Sequence, residues 1–145
     1  MKKGGVQNFD KFKRQLEKRV IKNTQKEVKN LVQRSATLVE NTAKKSILSG
    51  GSGITYEKYN PRRTHTASAP GQPPASDTGF LVNSISTSVS VRGTSVIGQI
   101  VASAEYAPHL EFGTSSILPR PFMQPALERN RNNIRRIFKA GKYLD

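Results

Sequence analysis

Small and apolar residues recur along the first third of this chain at Phe12, Leu16, Val20, Thr24, Val28, Leu31, Ser35, Leu38/Val39, Thr42/Ala43 and Ile47. Steps of three, four or occasionally five are the period of an α-helix. Neither Pro nor Gly interrupts residues 10–48. Asn8 or Asp10 is placed to cap the start, and Ser49-Gly50-Gly51 to end it. A helix of that span is roughly 55 Å long, more than a domain of this size requires. Its first half is charged apart from a stripe one residue wide per turn. That half is expected to project or to lie along a neighbouring subunit, with a break near Asn23-Thr24 as the alternative.

The pattern then changes. Residues 50–76 are Gly-rich, then carry Tyr56, Tyr59 and Arg62-Arg63, then Ala, Pro and Gly. They read as one long irregular loop, of the kind that is functional or disordered, disordered in a lone subunit and draped over the next one in a ring. Asp77 is positioned to cap a short helical turn through Gly79-Phe80-Leu81-Val82. Residues 84–91 alternate Ser or Thr with Ile or Val, the period of a half-buried strand. Arg92-Gly93-Thr94 is a turn into an antiparallel partner over residues 95–103, in which Gly98 suggests a bulge. Residues 106–112 form a short helical or extended connection ending at Gly113. Pro119 and Pro121 hold a loop that has room for a strand near its start. Pro125 suits the first turn of a last helix, buried through Ala126, Leu127, Ile134, Ile137 and Phe138 and stopped at Gly141. The order is α+β: a long N-terminal helix, a long loop, a small antiparallel sheet and a C-terminal helix. We divide the chain into a basic helical arm, residues 1–30, continuous with a single domain over residues 31–145.

Composition narrows the chemistry. In 145 residues the apolar share is 34%, below the usual 45–50%, so the core is thin and burial is expected to be completed against other chains. There is no Cys, and the two His residues, His65 and His109, are far apart. Disulfides, thiolate chemistry and a zinc centre are therefore not expected. No apolar run approaches the ~18 residues of a membrane span, and Met1-Lys2-Lys3 leads into no apolar h-region, so no membrane contact and a cytoplasmic site of synthesis or assembly are expected. The net charge is +14, of which residues 1–50 supply +9 (13 basic, 4 acidic). Such an excess points to a polyanionic neighbour. Lys11, Arg14, Lys18, Lys22, Arg62, Arg63, Arg131 and Arg135 are the candidates to face DNA or an acidic partner. No recognition motif for base reading is visible.

Catalytic constellations are weak. Asp77-Thr78-Gly79 is the triplet of aspartic proteases, but here it follows Pro73-Pro74-Ala75-Ser76 rather than an apolar strand. A helix cap is the reading we adopt. Gly50-Gly51-Ser52-Gly53 lacks the Lys-Ser/Thr of a phosphate loop. His109 and Glu111, even with Asp77 brought near, read as caps or surface contacts. Tyr56, Tyr59, Arg62 and Arg63 can stack on and neutralise single-stranded nucleic acid; a basic loop at a subunit boundary is the plainer reading. Phe112, Phe122 and Met123 are expected to pack in the core. No catalytic, cofactor-binding or metal-binding residue is assigned, and the chain is not expected to be an enzyme.

Two stretches carry more information. One is Ala69-Pro70-Gly71-Gln72-Pro73-Pro74-Ala75-Ser76-Asp77-Thr78-Gly79. The other runs from Tyr106 through Glu111-Phe112-Gly113-Thr114 to Arg120-Pro121-Phe122 and Pro125. In this order and spacing they resemble the small tail-component, head–tail connector proteins of tailed phages of the Hong Kong 97 type, gene-product-ten-like, over roughly residues 31–138. The resemblance implies a structural virion protein that forms a homo-oligomeric ring in the neck between capsid and tail. Its implied partners are a head-closure or connector protein, tail-terminator or tail-tube proteins, and the genomic DNA at non-specific distance. The implied location is the neck or tail of the virion, assembled in the host cytoplasm. A tail terminator capping the tube is the alternative within the class, and a small basic nucleic-acid-binding protein the alternative outside it. The basic arm before Leu31 is not part of the motif set.

Overall fold

The computed structural model describes residues 4–141, with side chains of the first helix described from Lys11 onward. Helix α1 (Gly4–Leu48) is one unbroken helix of 45 residues, about 68 Å long. It starts before Asn8 and Asp10, which therefore lie inside it rather than at its cap, and it does not break at Asn23-Thr24. Strands β1 (Thr55–Tyr59) and β2 (Arg62–Thr66) follow, then α2 (Phe80–Ser84), β3 (Ile85–Arg92), β4 (Ser95–Ala102), α3 (Ala107–Phe112) and α4 (Met123–Ala140). The fold is α+β, with two separate two-stranded antiparallel sheets.

The first of those sheets corrects the sequence reading. Residues 50–76 are not structureless, because β1 and β2 pair through Thr55↔Thr66, Tyr56↔His65, Glu57↔Thr64, Lys58↔Arg63 and Tyr59↔Arg62 around Asn60-Pro61. The strands are charged and mostly exposed, so they lack the apolar alternation by which strands are recognised.

The second hairpin follows expectation more closely. Cross-strand partners Ile85↔Ala102, Thr87↔Ile100, Val89↔Gly98 and Val91↔Val96 share the face turned to α1. Ser86, Ser88 and Ser90 lie on the other face. Pairing is regular through Gly98, so there is no bulge. Gly98 serves another purpose: a Cβ there would lie 2.7 Å from Cγ1 of Val32 and 3.6 Å from Cβ of Ala36. Its missing side chain is what lets the sheet close on α1.

The core is small. Val39, Ala43 and Ile47 of α1 meet Leu81 and Val82 of α2, Ile85 of β3, Ala104, Ala107, Phe122 and Ala126. Four of these ten are alanines, so α1, α4 and the sheet sit close together. Two polar links cross the same junction. Asn130, buried in α4, donates to Oγ1 of Thr42 at 2.7 Å and to its own helix at Ala126 O at 2.8 Å. Glu40 accepts from Thr87 of β3 and pairs with Lys44 at 2.6 Å. Those hydrogen bonds, from Lys44 first and then Thr87, hold the Glu40 carboxyl below the usual carboxylate range. Two expected core residues are outside: Leu127 is 52% exposed and Phe112 is 76% exposed. Both stand on short or terminal helical turns whose inner face is taken by the neighbouring alanines, Ala126 and Ala107. Residues 115–122 contain no strand.

Candidate functional site

The two motif stretches, about forty residues apart, are tied together by backbone hydrogen bonds. Gly71 N–H donates to Pro119 O at 3.0 Å, and Arg120 N–H to Leu110 O at 2.7 Å. The N–H of Ser76 reaches back to Ile47 O at 3.1 Å, satisfying one carbonyl at the end of α1.

Glu111 provides the main link. Its carboxylate accepts from the backbone N–H of Phe122 (2.9 Å), Met123 (3.0 Å) and Gln124 (2.9 Å). A helix begins with four N–H groups that have no partner within it. In α4 three of them are met by this one side chain, and the fourth position is Pro125, which has no N–H. Glu111 is thus the cap of α4, and negative charge at that end also suits the helix dipole. Between them, Gly113 (φ 77°) makes the turn, where a Cβ would lie 2.7 Å from Ile117 O. Thr114 Oγ1 accepts from Ser116 N (3.2 Å) and Ile117 N (3.1 Å), and Pro121 precedes Phe122, which is buried. The Glu-Phe-Gly-Thr and Arg-Pro-Phe segments therefore form one mechanical unit.

Asp77 does not cap α2. The residue at the cap position is Gly79, in the left-handed region at φ 79°, and the Phe80 N–H points at Thr78 Oγ1, 3.3 Å away. Asp77 instead turns to the first hairpin. It bonds Lys58, lies 2.9 Å from Nη2 of Arg63 and 3.8 Å from Nδ1 of His65. The Lys58 hydrogen bond first, then the charges of Arg63, Lys58 and His65, hold its carboxyl below the usual range. The correction extends to Arg63, which was expected to face DNA and is paired within the chain.

These contacts frame a cleft of about 260 Å³. Tyr56 and His65 of the hairpin stand on one side, their rings 5.5 Å apart edge to face. Phe80 and Tyr106, 6.2 Å apart, stand on the other. Pro74, Thr78, Gly79 and Arg120 complete the motif residues of its wall. Pro70, Gly71 and Pro73 lie outside that wall, Gly71 contributing through its bond to Pro119. Among the described residues, no hydroxyl of the cleft is hydrogen-bonded to His65 or Asp77. Asp77 is occupied by Lys58 and Arg63, with His65 beside it, and Glu111 by three amides. Among the described residues, no group of His, Asp and Glu is arranged to hold a metal ion. No helix of the described residues is long and apolar enough to cross a membrane.

A second feature lies at the other end of the molecule. Phe12 (57%), Leu16 (42%), Val20 (63%) and Ile21 (58%) stand exposed on the first half of α1. Lys11, Arg14, Lys18 and Lys22 alternate with them, all exposed. Each four-residue step advances about 40° around a helix of 3.6 residues per turn, so the stripe from Phe12 to Val28 spirals nearly halfway round. At its lower end Gln25 donates to Gly93 O at 3.2 Å, and Val20, Ile21 and Val28 form with Thr94 and Val96 an apolar groove of about 280 Å³. Arg131 and Arg135 are exposed on α4. Arg62 is exposed too, with Glu57 3.7 Å away.

The Glu111 cap and the Asp77 cluster escape sequence reading because their partners lie eleven to nineteen residues away. The only signal for the first was an unexplained α4 start lacking Ser, Thr, Asp or Asn. Comparison with family models, curated proteins and solved structures finds no match to this chain.

Proposed function

We propose that this chain is a structural virion protein of a tailed phage, a ring-forming connector or tail-completion component in the neck that joins capsid to tail around the DNA channel. It has no enzymatic role in this reading. The observation that carries it is the arm. Four large apolar side chains are exposed on a helix whose residues 11–30 hold eight cations and two carboxylates. Burying each such side chain is worth about 1.5–3 kcal/mol, and contiguous exposed apolar surface marks an interaction site. A subunit built this way completes its fold in an assembly. The motif resemblance supplies the kind of assembly, and the hydrogen-bonded union of the two motif stretches supports it by giving those residues a shared structural purpose. Partners in this reading are copies of the chain in a homo-oligomeric ring, a head-closure or connector protein, and terminator or tail-tube proteins, with genomic DNA nearby. The basic surface of Lys11, Arg14, Lys18, Lys22, Arg131 and Arg135 then faces the channel or an acidic neighbour.

A chain lacking residues 1–30 tests this in a complementing infection. The expected result is a folded domain with heads and tails left unjoined in electron micrographs. Normal particles would overturn the reading. The net charge of +14 favours one other reading, a nucleic-acid-binding protein. That reading requires the isolated chain to bind duplex DNA with an affinity falling steeply with salt and insensitive to Phe12→Ser and Val20→Ser.

A further inference from the structure

We propose that the β1–β2 hairpin is a flap held against the motif cleft by an ionic clasp on Asp77, and that it swings away when those charges are screened or neutralised. The inference rests on the cleft geometry and is independent of the virion reading.

The register decides the point. Tyr56↔His65 and Lys58↔Arg63 are cross-strand pairs, and residues two apart along a strand share a face. The face turned to Asp77 is therefore Tyr56, Lys58, Arg63 and His65. It carries no aliphatic side chain. Lys58 and Arg63 are like charges placed directly opposite one another, an arrangement that destabilises a strand pair. Asp77 between them turns that repulsion into attraction. The groups facing it are Lys58 and Tyr56 from β1, and Arg63 and His65 from β2; Arg120 stands elsewhere on the cleft wall. Below the strands the two legs of the hairpin are tied to each other, Gly53 N donating to Ala67 O at 2.8 Å and Ala67 N to Ile54 O at 3.0 Å, and through these legs the hairpin leaves the body. That base is a natural hinge. With the flap away, one wall of the cleft is gone, and Leu81 and Leu110 open to solvent or to a neighbouring chain beside Phe80 and Tyr106, which are exposed already.

The sign of the pH effect follows from the lowered carboxyl of Asp77. A depressed folded-state value means the clasp is in place at neutral pH and is lost as pH falls through that value. Salt acts in the same direction, since the screening length drops to about 4–5 Å near 0.5 M.

Hydrogen exchange followed by mass spectrometry on the full chain reads the clasp through the amides of Thr55–Tyr59 and Arg62–Thr66, whose pairing loosens once Lys58 and Arg63 face each other without Asp77. Asp77→Asn is expected to speed their exchange by about tenfold or more, leaving β3, β4 and α4 unchanged. High salt should do the same to the unaltered chain and add little to Asp77→Asn. Adding Lys58→Gln to Asp77→Asn should recover part of the protection by removing the facing like charges. Unchanged exchange in Asp77→Asn would overturn the proposal. So would a loss of protection across the whole chain, because Asp77 would then hold the core together and not a flap.

Discussion

The two halves of α1 share a backbone and a periodicity but not a fate. From Leu31 to Ile47 the inward positions are mostly small, and Ser35, Ala36, Val39, Ala43 and Ile47 are buried under the sheet and α4. From Phe12 to Ile21 the apolar residues are larger and lie exposed. Hydrophobic bulk alone therefore did not choose which half is covered. What chose it was the availability of a surface that can come close. Gly98 and a run of alanines permit that approach in the second half, while the first half extends past the tip of the β3–β4 turn, which Gln25 meets through its bond to Gly93 O.

The difference can be tested by substitution, beginning where the effect is largest. Phe122→Ala empties one of the best-buried sites in the molecule and should cost about 3–5 kcal/mol in urea unfolding. Gly98→Ala attacks the close approach itself. Val32 is β-branched and stiff in a helix, so it cannot easily yield to the added methyl. A loss of about 1–3 kcal/mol is expected, with Val32→Ala restoring part of it in a double-mutant cycle. Glu111→Ala should cost about 1 kcal/mol and raise amide exchange in the first turn of α4 before anywhere else. Phe12→Ser with Val20→Ser should change stability by no more than about 0.5 kcal/mol. A larger loss there would mean that the arm is covered in the lone subunit, and the contrast between the halves would fall.

How far the sequence could be read follows the range of the forces involved. Period carried the long helix, β3, β4 and α4, because burial against one face writes itself into alternate or every third and fourth residue. The β1–β2 hairpin left no such mark, since Lys58 and Arg63 are held by charge. Asp77 was misread for a related reason. A cap is a local signal, visible two or three residues away, and the ions that claim Asp77 arrive only once the chain has doubled back. Glu111 was legible as part of a motif but not as a cap. Phe112 shows the converse error: a large aromatic in a motif reads as core, yet it stands at the surface. The uncovered arm was readable from its narrow stripe.

The bond from Asn130 to Thr42 has a consequence beyond stability. It joins α4 to an unbroken helix of 45 residues near one end, while the apolar stripe lies near the other. A push on the arm thus acts as on a lever, with the crossing of α1 and α4 as its fulcrum. The buried amide works as a detent there. Sliding or rolling α1 by one residue takes the Thr42 hydroxyl out of reach and leaves the buried Asn130 amide donating only within its own helix, to Ala126 O, so small torques on the arm are resisted.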